Sequence, residues 1–281
     1  MKLPLAARVL VLYGTRFPNH PGKWWLHAKL RNLFCVSVPG EIEVNRAGLR
    51  WLLRPSDYTQ AKLFWLGAMD KWDLFHIRRL LPPAPVIFDV GANFGYYSLI
   101  LGRQFAPTCR AYSFEPNPPT FQRLETNVRL NDMARLISLH PLALSDHVGT
   151  TRLVDARPDN AGAAYISDGP DGITVNLTTL DEFAKRNDIT RMNFLKMDVE
   201  GNEESVIRGG MHTLRSLRPI ILIEIHPVLL TKMNSSAQAV MALLRELGYR
   251  LYSINRKQLE PLLSPPPDLT NALCLPDEQS P

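Results

Sequence analysis

Four acidic residues each close, or nearly close, an apolar run of strand length. Asp89 lies near the end of 86–90, Glu115 follows 111–114, Asp198 follows 192–197, and Glu224 lies near the end of 220–225 with His226 just beyond it. In a parallel sheet, ligands bind outside the carboxyl ends of the strands, where crossover loops converge. One acid at such a place is unremarkable; four point to a site that recognises hydroxyl and amino groups. The first turn reads Asp89-Val90-Gly91-Ala92-Asn93-Phe94-Gly95. Gly91 lets the backbone pass close to a ligand, and Gly95 allows a tight entry into the next helix. Glu115, one strand on, can accept two hydrogen bonds from the vicinal hydroxyls of a ribose. Together they place a nucleoside across the first two strands.

Which nucleoside this is turns on phosphate. A dinucleotide site wants the spacing G-x-G-x-x-G, with small residues packing the helix start against a pyrophosphate. Here the spacing is G-x-x-x-G and bulky Phe94 stands in the loop. Asp89 at its mouth would repel a pyrophosphate, yet it could receive the positively charged methionine end of S-adenosylmethionine. The methyl donor is favoured, with a nicotinamide-dependent oxidoreductase and a non-catalytic scaffold on the same fold as the rival readings. Asp89 could alternatively cap its own glycine turn. Tyr96 and Tyr97 begin the next helix, where one could meet the sulfonium by a cation–π contact or both could simply pack.

Asp198 leads the catalytic candidates. Glu200 and Glu203 follow it and could be no more than favourable charges at a helix N-terminus. Glu224 and His226 lie two apart and share a side if the strand continues that far. An imidazole of ordinary pKa about 6.5 suits proton removal, so His226 is a candidate base; it could also be a satisfied loop residue before Pro227. The catalytic set is therefore Asp198, His226, Glu224 and Glu200. No His/Cys spacing suggests zinc; a magnesium ion on Asp198 and neighbouring carboxylates is the unsupported alternative, and no metal is expected.

The motifs, taken in order, resemble a known family. Asp89 to Ser98, then Phe114-Glu115-Pro116-Asn117, then Ala143-Leu144-Ser145-Asp146, then Lys196-Met197-Asp198-Val199-Glu200-Gly201 resemble the FkbM-type methyltransferases over about half the chain. The resemblance implies a class I, Rossmann-like fold: a mostly parallel seven-stranded sheet with helices on both faces and an antiparallel last strand. It implies S-adenosylmethionine as cofactor and O-methylation of a hydroxyl on a sugar, lipid or secondary metabolite. The cofactor residues would be Asp89, Gly91, Ala92, Asn93, Gly95, Tyr96, Tyr97, Ser98, Glu115, Pro116, Asn117, Ala143, Leu144, Ser145 and Asp198. Asn202 stands where such families often carry alanine.

The elements that must position these residues follow from periodicity. Near-uniformly apolar strands at 86–90, 111–114, 136–140, 192–197 and 220–225 alternate with helical stretches, as a sheet covered on both faces requires. Val240, Leu243, Leu244 and Leu247 form a helical stripe that Gly248 can end, and two last strands at 249–254 and 271–275 flank a proline-rich loop. Upstream, 41–45 and 49–53 read as a hairpin and 59–80 as one helix ended by Pro82 and Pro83. The expected organisation is an accessory region over 1–80, the cofactor-binding domain over 81–276, and a loose polar tail over 277–281. The excursion 155–172 and the accessory region would supply a lid and the acceptor walls.

At 281 residues and 45% hydrophobic content the chain has the scale of a globular α/β domain with an addition. A net charge of +5 suits anionic partners, but with no dense basic run nucleic acid is not expected. Cys35, Cys109 and Cys274 are widely spaced and read as buried thiols in a reducing, cytoplasmic setting. Arg8 interrupts the apolar opening, no signal-type cleavage site follows it, and no run approaches the span of about 20 apolar residues that a bilayer needs. A peripheral membrane contact through 5–13 or through Trp24 and Trp25 stays open, against plain burial of these side chains.

Overall fold

A computed structural model describes residues 3–17, 20, 22–34, 36–155, 164–167 and 171–279. The chain opens with helices α1 (Leu5–Arg16) and α2 (Lys23–Leu33), the hairpin β1 (Ile42–Arg46) and β2 (Leu49–Leu53), and helices α3 (Tyr58–Leu66) and α4 (Lys71–Leu80). Alternation then begins: β3 (Val86–Val90), α5 (Tyr96–Gln104), β4 (Arg110–Phe114), α6 (Pro118–Leu130) and β5 (Ile137–His140). Four strands follow, β6 (Ala143–Leu144), β7 (Gly149–Asp155), β8 (Ala164–Ser167) and β9 (Ile173–Thr178). The remainder is α7 (Leu180–Arg186), β10 (Phe194–Met197), α8 (Glu203–Arg208), α9 (Met211–Leu217), β11 (Ile220–Ile225), α10 (Pro227–Lys232), α11 (Ala237–Glu246), β12 (Tyr249–Asn255), β13 (Gln258–Pro261) and β14 (Thr270–Pro276).

The main sheet runs β13-β12-β14-β11-β10-β3-β4-β5. Strands β5, β4, β3, β10 and β11 are mutually parallel, and β14 is antiparallel to both of its neighbours, β11 and β12. Seven of these strands form the arrangement that the resemblance implies, and β13 adds an eighth at the edge. Side chains alternate between two cores, as the pleat demands. Ile87, Phe194, Leu222 and Leu273 face α4, α5, α6 and the N-terminal helices. Phe88, Met197, Ile223 and Cys274 face α7, α8, α9 and α11. The N-terminal region shares the first core: Trp51, Phe64, Leu74 and Ile77 pack with Phe94, Leu99 and Leu101.

Several local expectations change. The helix read over 59–80 is two helices, because Gly67 ends α3 in the left-handed conformation and Asp70, also at positive φ (43°), precedes α4. The excursion at 155–172 includes a strand, β8, paired antiparallel with β7 in a second sheet of order β6-β9-β7-β8; residues 156–163 and 168–170 lie outside the described residues. The tail is tied down as far as Gln279. Asp277 donates its amide to Gly248, Arg218 pairs with Glu278 at 2.7 Å, and Arg250 donates to the carbonyl of Gln279. Among the described residues no helix is long and apolar enough to cross a membrane. Cys109 and Cys274 are buried free thiols, and Cys35 lies outside the described residues.

Candidate functional site

The turn after β3 is held from both sides. The amides of Gly91 and Ala92 donate to the carbonyl of Phe114 at the end of β4 (3.0 and 2.9 Å), and the Gly91 carbonyl accepts from Lys196 Nζ at 2.7 Å. Gly91 adopts φ 73°, and a Cβ there would lie 1.9 Å from the backbone oxygen of Asp198. Only glycine lets this turn pass that close to the end of β10. Asn93 is held at φ 51°, so its amide points at Glu115.

Glu115 bridges the two loops. Its Oε2 accepts the Asn93 amide and its Oε1 the Asn117 amide, each at 2.9 Å. The carboxyl is 7% exposed. Burial pushes its pKa up to about 7 against the opposing pull of those two amides. Each oxygen retains a lone pair beyond its backbone donor, and the residue lines the central cavity. A fixed acceptor pair of this kind is suited to two adjacent hydroxyl donors.

Asp89 does not stand at the mouth of the loop. It shares the face of Ile87, turned toward α5, where its Oδ2 accepts the Ser98 amide at 3.0 Å and the Ser98 hydroxyl at 2.5 Å. Asp89 and Ser98 are buried beneath the turn and do not line the cavity. Gly95, Asn117 and Ser145 likewise support the site from behind, whereas Ala92, Asn93, Pro116, Ala143 and Leu144 line it. The phenols of Tyr96 and Tyr97 are committed elsewhere. Tyr96 donates to the Met69 carbonyl at 2.6 Å, and Tyr97 donates to Asp70 (3.2 Å) and Asp73 (3.3 Å). They fasten the loop between α3 and α4 over the cavity while their rings help wall it.

Lys196, which the strand pattern alone did not single out, is central. It lies opposite Asp89 in the β10–β3 register and is 6% exposed. Its ammonium is 3.8 Å from Asp89 Oδ1 and 3.4 Å from Asp198 Oδ2. Burial lowers its pKa, but Asp198, Asp89 and Glu224 outweigh that and leave it above the ordinary value. Glu224 is held well above the usual carboxylate range by burial and by the charges of Asp198, Glu200 and Glu203. Glu203 instead caps its own turn, accepting the amides of Val199 (3.1 Å) and Gly201 (3.3 Å). Glu200 sits at φ 54°, and His226 carries a buried Nδ1 with no hydrogen-bond partner among the described residues.

Asp198, Glu200, Glu224 and His226 all line one cavity of about 680 Å³ with Gly91 and Glu115. Its far walls lie outside the motifs, partly in the accessory region and the 155–172 excursion. Asp70 comes from the α3–α4 loop, Leu153 from β7, Ile166 from β8, and Asn271 from β14. Asn271 donates to Asp73 at 2.6 Å; burial raises the Asp73 carboxyl to about 6 and also raises Asp70. Asn202 uses its side-chain amide to hold the Leu144 carbonyl at 3.1 Å, which explains a polar residue there. Among the described residues no group of three His, Cys, Asp or Glu side chains is arranged to hold a metal ion.

Residues 89–251 match the family model described as Methyltransferase FkbM domain. A hexuronic acid methyltransferase, AglP, of Haloferax volcanii is 31% identical over 58% of this chain and 67% of its own length. A 2-O-methyltransferase, NoeI, of Sinorhizobium fredii is 30% identical over 48% of this chain and 61% of its own. A crystal structure of methyltransferase FkbM from Methylobacillus flagellatus aligns with 96% of this chain and 58% of its own length, at 16% identity and a TM-score of 0.46. The family match spans the glycine turn, Glu115 and the Lys196 to His226 cluster, and the chain belongs to the FkbM methyltransferase family.

Proposed function

We propose that this protein is an S-adenosylmethionine-dependent O-methyltransferase acting on a hydroxyl of a sugar, lipid or secondary metabolite. The observation that carries it is the buried Glu115 carboxylate, fixed by two backbone amides beside the close-packed Gly91 turn and opening on the cavity. The cavity fits the cofactor on three counts: a cradle that a Cβ would fill at Gly91, an acceptor pair for ribose hydroxyls, and acidic side chains at Asp198 and Glu200 for a cationic methionine end. When bound, the cofactor supplies a methyl group on a positively charged sulfur. The relatives, a hexuronic acid methyltransferase and a 2-O-methyltransferase, support a hydroxyl acceptor. The buried free thiols of Cys109 and Cys274 support a cytoplasmic setting.

The chain's own residues then divide the work. Lys196 holds the Gly91 carbonyl and orients Asp198. Glu224 and His226 both line this cavity, and the His226 imidazole is the candidate to take an acceptor's proton. Aligning the acceptor oxygen and excluding water provides much of the remaining acceleration. His226→Ala is expected to lower single-turnover methyl transfer roughly 100-fold or more while leaving S-adenosylhomocysteine affinity nearly unchanged. Undiminished transfer would remove the histidine as base and leave Glu224 or alignment alone.

The cofactor site has its own test. Glu115→Ala is expected to weaken S-adenosylhomocysteine binding by roughly 1.5–3 kcal/mol, the usual loss for hydrogen bonds to a charged acceptor. The pH dependence follows from the carboxyl's raised pKa. Ionised Glu115 accepts the ribose hydroxyls, so affinity should rise as pH passes upward through about 7 and level off above it. Glu115→Gln should flatten that step in a calorimetric titration. An unchanged step in Glu115→Gln would assign it to another group and move the ribose site.

A further inference from the structure

The chain's positive charge is not evenly placed. Residues 1–40 contain six of its 32 Lys and Arg and none of its 27 Asp and Glu, so this segment carries +6 and the rest of the chain −1. Exposed apolar side chains concentrate in the same place. Seven of the thirteen exposed large hydrophobic residues among those described fall within 5–34: Leu5, Val9, Leu12, Phe17, Trp25, Leu33 and Phe34.

Five of these side chains lie on helices α1 and α2, whose inner faces are already used, and Phe17 and Phe34 follow directly after them. In α1, Ala7, Leu10 and Gly14 are buried, and a Cβ at Gly14 would lie 1.9 Å from the Trp65 carbonyl, so α1 is seated directly on α3. Its outer face carries Leu5, Val9 and Leu12 at helical spacing, with Arg8 and Arg16 between and beside them. In α2, Trp25, Lys29 and Leu33 form an exposed stripe, and the Lys29 ammonium lies 4.1 Å from the Trp25 ring centroid. An ordinary solvent-facing helix of this protein looks different: α6 exposes Gln122, Glu125 and Arg129. An outward helix surface of leucine, valine and tryptophan whose exposed charges are all cations is the composition of a segment lying in a membrane interface.

We propose that the outer faces of α1 and α2 dock this protein onto an anionic lipid bilayer. Leu5, Val9, Leu12, Trp25 and Leu33 enter the headgroup region, and Arg8, Arg16 and Lys29 meet the lipid phosphates. Charge complementarity selects the occupant, because a segment without a single carboxylate gains from a negative surface and faces no repulsion there. The docked helix α1 rests on α3, whose Tyr58 and Lys62 line the central cavity. The docking stands independently of the methyltransferase reading.

The test is co-sedimentation of the full chain with phosphatidylcholine vesicles, with and without phosphatidylglycerol. Binding is expected only to the phosphatidylglycerol vesicles and should weaken as salt rises. Each cation removed should weaken partition roughly fivefold, so the Arg8→Glu, Lys29→Glu double variant should lose roughly 25-fold or more. The Val9→Ser, Leu12→Ser variant should lose roughly tenfold or more. Both pairs are exposed, so circular dichroism and the unfolding midpoint should match those of the parent protein. Absence of vesicle binding, or equal binding by the charge-reversed variant, would overturn the proposal. So would a concentration-dependent dimer, seen by ultracentrifugation, that the same substitutions dissociate, because the face would then belong to a second copy of the chain.

Discussion

Replacing Gly91 by alanine is expected to abolish S-adenosylhomocysteine binding at concentrations that saturate the parent protein, a loss of roughly 100-fold or about 2.7 kcal/mol. Two effects act together. At φ 73° a side chain costs about 1–2 kcal/mol in the left-handed region, and the new Cβ would lie 1.9 Å from the Asp198 carbonyl. That neighbour is backbone and cannot rotate away, so the turn itself must move off the ends of β10 and β4. The Lys196 bond to the Gly91 carbonyl and the Asn93 bond to Glu115 move with it. Gly95→Ala should be milder, because the atoms met there are the δ-methyls of Leu99 and Leu124, at 2.5 and 2.6 Å, which can give. Calorimetric titration of both variants checks the order; parent-like affinity in Gly91→Ala would mean that the turn does not cradle the cofactor.

Lys196→Met should destabilise the fold by about 3–5 kcal/mol, the range for removing one partner of a buried ion pair. Asp89 is buried with its Oδ1 lacking a hydrogen-bond partner among the described residues, and the ammonium 3.8 Å away is the nearby cation that offsets its charge. Without that ammonium the Gly91 carbonyl loses its donor as well. Adding Asp89→Asn should recover part of the loss, since asparagine can still accept from Ser98 while removing the orphaned charge. Denaturant unfolding of the single and double variants measures the coupling. Additive losses would show that the two charges do not sense each other.

The strands and the part of the cavity at the ends of β3 and β4 were legible because they depend on local pattern. Largely apolar runs with an acid at or near the carboxyl end define β3, β4 and β11, and Glu115 directly follows β4. Asp89 sits in the motif where a cofactor contact is expected, but the period of two sets it with Ile87 toward α5 and away from the cavity. Lys196 interrupts an apolar run and reads as a blemish until β10 is paired with β3, which brings it opposite Asp89. Asp70 and Asn271 lie 201 positions apart in sequence and meet at the cavity only through tertiary folding. The second sheet is hard to read from the sequence because β6 has two residues, and because β7 and β9 lie in a stretch whose polar composition reads as loop. Helices α1 and α2 have too much exposed apolar surface for the usual amphipathic pattern, which is the same feature that marks them as a docking face.

The central claim is a methyl-donor site spanning β3 and β4, and the most direct measurement is titration of the intact chain with S-adenosylhomocysteine above the Glu115 pKa, with NAD titrated in parallel. The account predicts saturable one-site heat for S-adenosylhomocysteine and none for NAD. It also predicts a raised unfolding midpoint, worth about 2.7 kcal/mol of stability when ligand is at about 100 times its dissociation constant. No heat and no shift with S-adenosylhomocysteine, or saturable binding of NAD in its place, would contradict it.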